Sequence, residues 1–314
     1  MSDQSDMESS ADVLIIGGGP AGLAAAMALG RACRSVVVFD SQEYRNDAAP
    51  KMHNVLGSDG KRPELFRVTA VQDMMARYDS IKFVDTKIKL AFRIFGEFRF
   101  HVVENKGRFW RGQKLILASG SKDVLPSIPG YKELYGRGII HSLFCEGFEK
   151  NGGHFGILGL HTEHELNALF MSFQLAESVT VFTNGEKKIA EDSAVSKLVK
   201  IAVSRGAKID RRAIESISEG PICDEILVHF KNGSKERLRV LINSPPTVNR
   251  LDMSIISELG LETHGPEGHI VSKSPMGKTN VHGCFVAGDT STLAKTVNVA
   301  MAAGKMTLLL TLGK

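Results

Sequence analysis

The chain has 314 residues, enough for about two domains at the usual ~100–200 residues each. Hydrophobic residues make up 43% and charged residues 24%, an ordinary globular composition that excludes wholesale disorder, and 39 Lys plus Arg against 35 Asp plus Glu leave a net charge of +4, too weak to argue for nucleic acid or an anionic membrane as partner. Four cysteines (Cys33, Cys145, Cys223, Cys284), none spaced as C-x-x-C, exclude a disulfide framework and leave a metal site without support.

The opening MSDQSDMESS is acidic and serine-rich, with neither a basic n-region nor an apolar h-region, and reads as a disordered lead-in. Val13 to Ile16 is a β-branched and leucine run that predicts a strand buried on both faces. It enters the turn Gly17-Gly18-Gly19-Pro20-Ala21-Gly22 and an alanine-rich helix over Leu23–Leu29. The glycines and Pro20 interrupt the one long apolar stretch, so no transmembrane helix is expected, and the cell address is read as cytoplasmic with reduced cysteines. A second buried strand, Ser35 to Phe39, ends on Asp40. After the polar stretch 44–61, a helix is predicted from Pro63 to about Arg77, with Leu65, Val68, Val71 and Met75 at helical spacing. Residues 81–117 read as short alternating strands ending in Lys114–Ala118, followed by Ser119-Gly120-Ser121.

Near Gly152 the pattern restarts. Phe155–Leu158 is strand-like, Gly159 turns, Glu163–Leu175 is helical and Val179–Phe182 is a strand, so a second βαβ half is predicted. Ser244-Pro245-Pro246 reads as the crossover back to the first domain, which closes with Gly283–Asp289 and a helix from about Lys295.

Gly17-x-Gly19-x-x-Gly22 stands where it carries chemistry, after a strand and opening a helix. The first glycine allows a tight turn, the second lets backbone approach a pyrophosphate, and the third permits close helix–strand packing. Pro20 and Ala21 begin the helix whose N-terminal amides face that phosphate. Asp40, 23 residues after Gly17, is placed to accept from a ribose hydroxyl. Gly288-Asp289 ends another buried strand, and an acid there accepts hydrogen bonds from a polyol such as the ribityl chain of a flavin. Alone it would read as a helix cap. With the N-terminal turn it points to FAD rather than NAD.

GGGPAGLAAA, LILASG (with Ser119 and Gly120) and GCFVAGD resemble, in order, the three FAD-domain signatures of thioredoxin reductase-like flavoproteins. RNDAAPKMHNVLGSDG and VTVFTNGE are similar to the fungal gliotoxin-type dithiol (sulfhydryl) oxidases of secondary metabolism. The resemblance implies an α/β fold of two Rossmann-like, three-layer domains. The FAD domain would comprise 1–142 and 247–314, with an inserted NAD(P)-domain-like unit at 143–246. It implies FAD as cofactor, a homodimer, His53 and Asn54 in a loop beside the flavin, and a last helix whose start (Lys295, Thr296, Val297) points at the flavin pyrimidine ring.

The departures are specific. Where the family carries C-x-x-C, this chain has Ser142-Leu143-Phe144-Cys145, so one sulfur remains, and thiol–disulfide exchange needs two. Cys33, between helix and strand, and Cys284, on a core strand, are read as buried and inert. His161 and His164 replace the glycines of a second nucleotide turn, Lys187 and Lys188 are the only basic candidates after Phe182, and His161, Glu163 and His164 lack a fourth metal ligand. His53 either moves a proton beside the flavin or binds a neighbouring carbonyl. His141 serves to cap or orient the Ser142 turn. The reading is an FAD-dependent, O2-using oxidase acting on a small organic substrate, with Cys145, Ser142 and His53 lining the reacting side. A non-redox isomerase or cyclase, or a catalytically silent FAD-binding scaffold, are the alternatives.

Overall fold

Val13 and Ile15 point to one core and Leu14 and Ile16 to another, so β1 (Ser9–Ile16) is a strand buried on both faces. It starts before Val13 because Ser9–Ala11 pair with Trp110–Gly112. The computed structural model describes residues 9–97, 99–159, 163–186, 194–223 and 225–308. After β1 come α1 (Pro20–Arg31), with proline at the helix start where its missing N–H costs nothing, and β2 (Val36–Asp40). Next follow α2 (Pro63–Met75), β3 (Ile81–Asp85), β4 (Ile88–Arg93), β5 (Phe100–Glu104), β6 (Phe109–Leu117) and β7 (Ser121–Asp123). A middle stretch holds α3 (Tyr131–Leu134), β8 (Ile139–Ile140), α4 (Leu143–Glu146), β9 (His154–Leu158), α5 (Glu163–Leu175) and β10 (Ser178–Phe182). It continues with α6 (Ala194–Ser204), β11 (Lys208–Asp210), β12 (Ile214–Glu219), β13 (Ile226–Phe230), β14 (Lys235–Leu238) and β15 (Val240–Ile242). The last stretch holds β16 (Thr247–Asn249), α7 (Met253–Glu258), β17 (Thr263–His264), β18 (His269–Ile270), β19 (Cys284–Val286) and α8 (Val297–Met306).

The chain divides into two compact units. Unit 1 takes the described parts of 1–47, 64–123 and 247–314, and unit 2 takes those of 48–63 and 124–246. The return falls at Pro246/Thr247, while the first boundary lies at Asp123/Val124 instead of after 142, and the loop 48–63 belongs with unit 2.

In unit 1, β3, β2, β1, β6 and β19 form a parallel sheet, and β6 also pairs antiparallel with β5, which pairs with β4. β6 serves both because its first half faces β5 and its second half, Leu115–Leu117, faces Cys284–Val286. Side chains alternate across the sheet as a two-residue period requires. Val13, Ile15, Val36, Val38, Ile116 and Phe285 pack on the α1 side, whereas Leu14, Ile16, Val37, Phe39, Leu115 and Leu117 pack with Trp110 and α7. Three layers result. Unit 2 repeats the plan: a parallel sheet β11-β10-β9-β15-β8 carries α4, α5 and α6 on one face, and α3 with the antiparallel β12-β13-β14 on the other.

Two expectations are corrected. Of the residues at helical spacing in α2, Val71 packs against the core but Leu65, Val68 and Met75 are exposed, and Met74 and Arg67 are buried instead, because Asp47 and the Tyr44 ring draw Arg67 in. Cys33 is exposed. It takes the left-handed position (φ 54°) that ends α1, where the turn faces solvent. Cys284 is fully buried, and burial pushes its thiol up to about 12.

Candidate functional site

Four strand ends of unit 1 come level. Gly17 N–H donates to Phe39 O at 2.8 Å, Ala118 N–H to Ile16 O at 2.8 Å and Ala287 N–H to Leu117 O at 3.0 Å. Ligands of open parallel sheets bind at this carboxyl edge. Gly17 has φ +118°, and a Cβ there would stand 2.2 Å from Ala118 O, so the turn admits only glycine. At Gly22 an added Cβ would lie 1.9 Å from Gly17 O, which is the close approach that seats α1 on β1. At Gly19 it would meet no protein atom within 4 Å. The first turn of α1, with Pro20 and Ala21, therefore opens onto space left by the protein.

Asp40 sits directly under that turn, its Oδ2 lying 2.2 Å from where a Gly18 Cβ would be. Gly18 was not among the expected site residues. Its need for hydrogen comes from Asp40, a contact that motif spacing does not reveal. Gln42 N–H donates to Asp40 Oδ1 at 3.0 Å, and the Tyr44 hydroxyl donates to Oδ2. Burial first, and then Asp40, raise the Tyr44 phenol above its ordinary range, so it remains a donor. Arg67 lies over the Tyr44 ring, 3.5 Å from its centroid.

The far ends of the chain meet in the same place. Gly120 N–H donates to Thr290 Oγ1 at 2.8 Å, and Ser121 Oγ donates to Asp289 Oδ2 at 3.5 Å. A Cβ at Gly288 would press on Ala21 Cβ at 2.9 Å, and one at Gly304 would stand 2.0 Å from Ala21 O, so α8 lies tightly against α1. Thr296 caps α8, its Oγ1 accepting from Val299 N–H at 3.2 Å, with Val297 as the first helical residue. Burial pushes the Asp289 carboxyl above its ordinary range against the pull of Arg45 and Lys295. Among the described residues Ser119 Oγ, which is buried, has no hydrogen-bond partner. Tyr44, Arg45 and Asp123 were missed in the sequence, since they stand in a loop and a short strand without periodicity.

Unit 2 holds the other expected residues. His53 Nδ1 lies 3.5 Å from Asp59 Oδ2 and 3.3 Å from Glu149 Oε1, and the side chain is mostly buried. Asn54 is exposed and left-handed (φ 63°), its N–H donating to Asp59 Oδ1 at 2.6 Å. Ser142 stands at the start of the one-turn helix α4 without a side-chain cap bond, and Cys145 is half-buried one turn on. Phe144 and Phe148, on either side of Cys145 in sequence, are exposed. His141 O accepts from Ser244 Oγ at 2.9 Å. Gly159 keeps a left-handed φ of 79°, and its N–H donates to Phe182 O at 2.9 Å. His161, Lys187 and Lys188, and the side chains of Glu163 and His164, lie outside the described residues. Among the described residues no three His, Cys, Asp or Glu side chains form a group that could hold a metal, and no helix is long and apolar enough to cross a membrane.

Residues 11–304 match the pyridine nucleotide-disulphide oxidoreductase family. The chain belongs to that family. It is 37% identical over 298 residues to thioredoxin reductase tcpT of Claviceps purpurea, covering 93% of this chain and 90% of that protein. It is 34% identical to thioredoxin reductase sirT of Leptosphaeria maculans, covering 93% and 90%. An oxidoreductase from Agrobacterium tumefaciens superposes with a TM-score of 0.85 at 32% identity, covering 96% of this chain and 97% of that one.

As a member of the pyridine nucleotide-disulphide oxidoreductase family the chain is an FAD-dependent oxidoreductase, and unit 1 fits the cofactor. The open space at Gly19 is a cradle, and the buried Ser119 Oγ, without a partner among the described residues, and the Asp289 carboxylate, held by the long Ser121 bond and the Arg45 ion pair, have acceptor sites that FAD would satisfy. The α1 start would hold the pyrophosphate, while Asp40 and Asp289 would accept from the two polyols.

Proposed function

We propose that this chain is an O2-using FAD oxidase of fungal secondary metabolism that acts on a small organic substrate without a redox disulfide. The observation that carries the reading is the single sulfur of the Ser142–Cys145 turn. The relatives' name, thioredoxin reductase, does not extend to this turn, because thiol–disulfide exchange needs a second sulfur and a hydroxyl cannot supply it. Among the other cysteines Cys284 is buried, while Cys33 and Cys223 are exposed and stand outside this turn.

FAD, when bound, accepts the hydride or electron pair. The residues of this chain bind and orient. The glycine turn and α1 would hold the pyrophosphate end, and the N-terminus of α8, capped by Thr296, would offer backbone N–H groups that favour negative charge. Phe144 and Phe148 supply apolar surface around Cys145 and suit a substrate with apolar or aromatic parts. His53, with Asp59 and Glu149 at its Nδ1, is the group that accepts a proton from the substrate.

The experiment compares metabolites of a strain with and without this gene and then offers the accumulating compound to the purified protein without oxygen. The reading expects the flavin to be reduced, and admitted O2 to reoxidise it with formation of hydrogen peroxide. Turnover of that compound with no reduction of the flavin, or with a deazaflavin substitute, sinks the oxidase and favours an isomerase.

A further inference from the structure

We propose that Arg45 is a positioning residue of the cofactor site, clamped on Asp123 so that it holds Asp289 as the acceptor for the ribityl hydroxyls of FAD. The inference rests on the reading of Asp289 as that acceptor.

The geometry is asymmetric in a telling way. The Arg45 guanidinium forks onto Asp123, with Nε 3.2 Å from both carboxylate oxygens and Nη2 2.9 Å from Oδ1. Its Nη1 is turned to Asp289, 3.7 Å from Oδ2, which is ion-pair distance without a hydrogen bond. Asp289 thus feels the positive charge yet keeps its acceptor sites. Among the described residues its one hydrogen bond is the long donation from Ser121 Oγ at 3.5 Å. A residue meant only to tie Asp289 down would consume those lone pairs.

The setting makes the charge necessary. The side chains of Arg45, Asp123 and Asp289 are 18%, 6% and 16% exposed, and two carboxylates share one guanidinium. Removal from water and the neighbouring Asp123 both favour a proton on Asp289, and a protonated carboxyl accepts hydroxyl donors poorly. Three elements face Asp289: the loop after β2 with Arg45, β7 with Asp123 and Ser121, and the approach to α8 with Lys295, whose ammonium donates to Thr247 Oγ1 at the start of β16. Glu267 and Asp123 act on Lys295 in turn. Lys295 therefore serves several acids, while Arg45 is the cation that reaches Asp289 directly.

The test titrates apoprotein with FAD, following quenching of flavin fluorescence across pH, for wild type, Arg45→Met, Asp289→Asn, the double variant and Arg45→Lys. Both single variants are expected to weaken FAD binding, with the double variant no weaker than Asp289→Asn. In Arg45→Met the acid loss of affinity should set in about one pH unit or more higher than in wild type, because the lost cation no longer opposes protonation. The slope should approach tenfold per pH unit, since one proton is involved. Arg45→Lys should keep the wild-type pH profile while recovering part of the affinity, since it keeps the charge and loses the fork. Should Arg45→Met fail to fold because Asp123 is stranded, Asp123→Asn in the same chain removes that carboxylate, and the same readouts apply. Wild-type affinity and pH profile in the Arg45 variants, beside a weakened Asp289→Asn, overturn the role of Arg45 alone. A silent Asp289→Asn overturns the acceptor reading, and the inference with it. Losses that multiply in the double variant mean that Arg45 acts elsewhere, which also overturns it.

Discussion

The two βαβ halves of the chain start alike and part within a few residues. In each, the first glycine is left-handed and gives its N–H to the end of the next strand, Gly17 to Phe39 O and Gly159 to Phe182 O. After Gly17 two glycines answer to a neighbour, Gly18 to the Asp40 carboxylate and Gly22 to the Gly17 carbonyl, Gly19 faces open space, and α1 meets α8 through Gly304. After Gly159 the sequence reads Leu160-His161-Thr162, and α5 begins at Glu163. A βαβ unit tolerates any residue in its turn that the backbone can accommodate. A phosphate-binding turn does not, because the ligand must touch backbone. A left-handed first glycine is thus common to both turns, whereas the open Cβ position at Gly19, at the start of α1, is what contact between backbone and a pyrophosphate would need.

The sharpest way to break the comparison is to fill the two kinds of space at Gly17 and Gly19. Gly19→Val should fold as apoprotein and lose essentially all FAD, since its side chain enters volume the protein leaves open. Gly17→Val should lose the fold itself, by about 3 kcal/mol or more, from a forbidden φ and contact with Ala118 O. Flavin absorbance per chain and denaturant unfolding of the apoproteins read the two effects separately. Equal instability of both variants would refute the distinction.

The second half offers the complementary test. NADPH and NADH should leave the flavin band at about 450 nm unbleached without oxygen, because His161 and His164 stand where nucleotide turns need glycine. Fast bleaching by either would restore unit 2 as a nucleotide site and make the protein a reductase.

A third measurement asks how much geometry the Ser142 turn has kept. Wild type should produce no hydrogen peroxide from small dithiols and O2, and Ser142→Cys should raise that rate at least tenfold by returning the second sulfur. Oxidation by wild type that stops in Cys145→Ala would overturn the reading of this site. Cys223 is then the next sulfur to remove, since Arg239 joins its carbonyl to that of Glu149.

What could be read from the sequence was what is decided within a few residues. Val13–Ile16, the glycine turn, Gly288-Asp289 and Glu163–Leu175 declare themselves through period, breakers and order. The helix α2 was legible and Val71 does pack inward, but the rest of its inner face was not, because Arg67, not Leu65 or Val68, has partners in Asp47 and Tyr44. Cys33 was misread because a short connection between buried elements still turns at the surface. Tyr44, Arg45 and Asp123 stayed hidden since their role depends on a loop folding onto strands far away in sequence, and no local rule reports that.

The smallest expected effect compares two hydroxyl residues in the same formal position. Thr296 precedes α8 and Ser142 precedes α4, both with extended backbone. Thr296 Oγ1 accepts from Val299 N–H, so Thr296→Ala strands one of the helix's four unpaired N–H groups and should cost about 1 kcal/mol. Ser142 makes no such cap bond, and its helix is one turn long, so Ser142→Ala should change stability by less than about 0.5 kcal/mol. Denaturant unfolding of the two variants beside wild type measures both. If Ser142→Ala costs as much as Thr296→Ala, the serine is there to hold the turn. It would then no longer read as the remnant of a lost cysteine position, and the argument that Ser142→Cys restores a working pair would lose its footing.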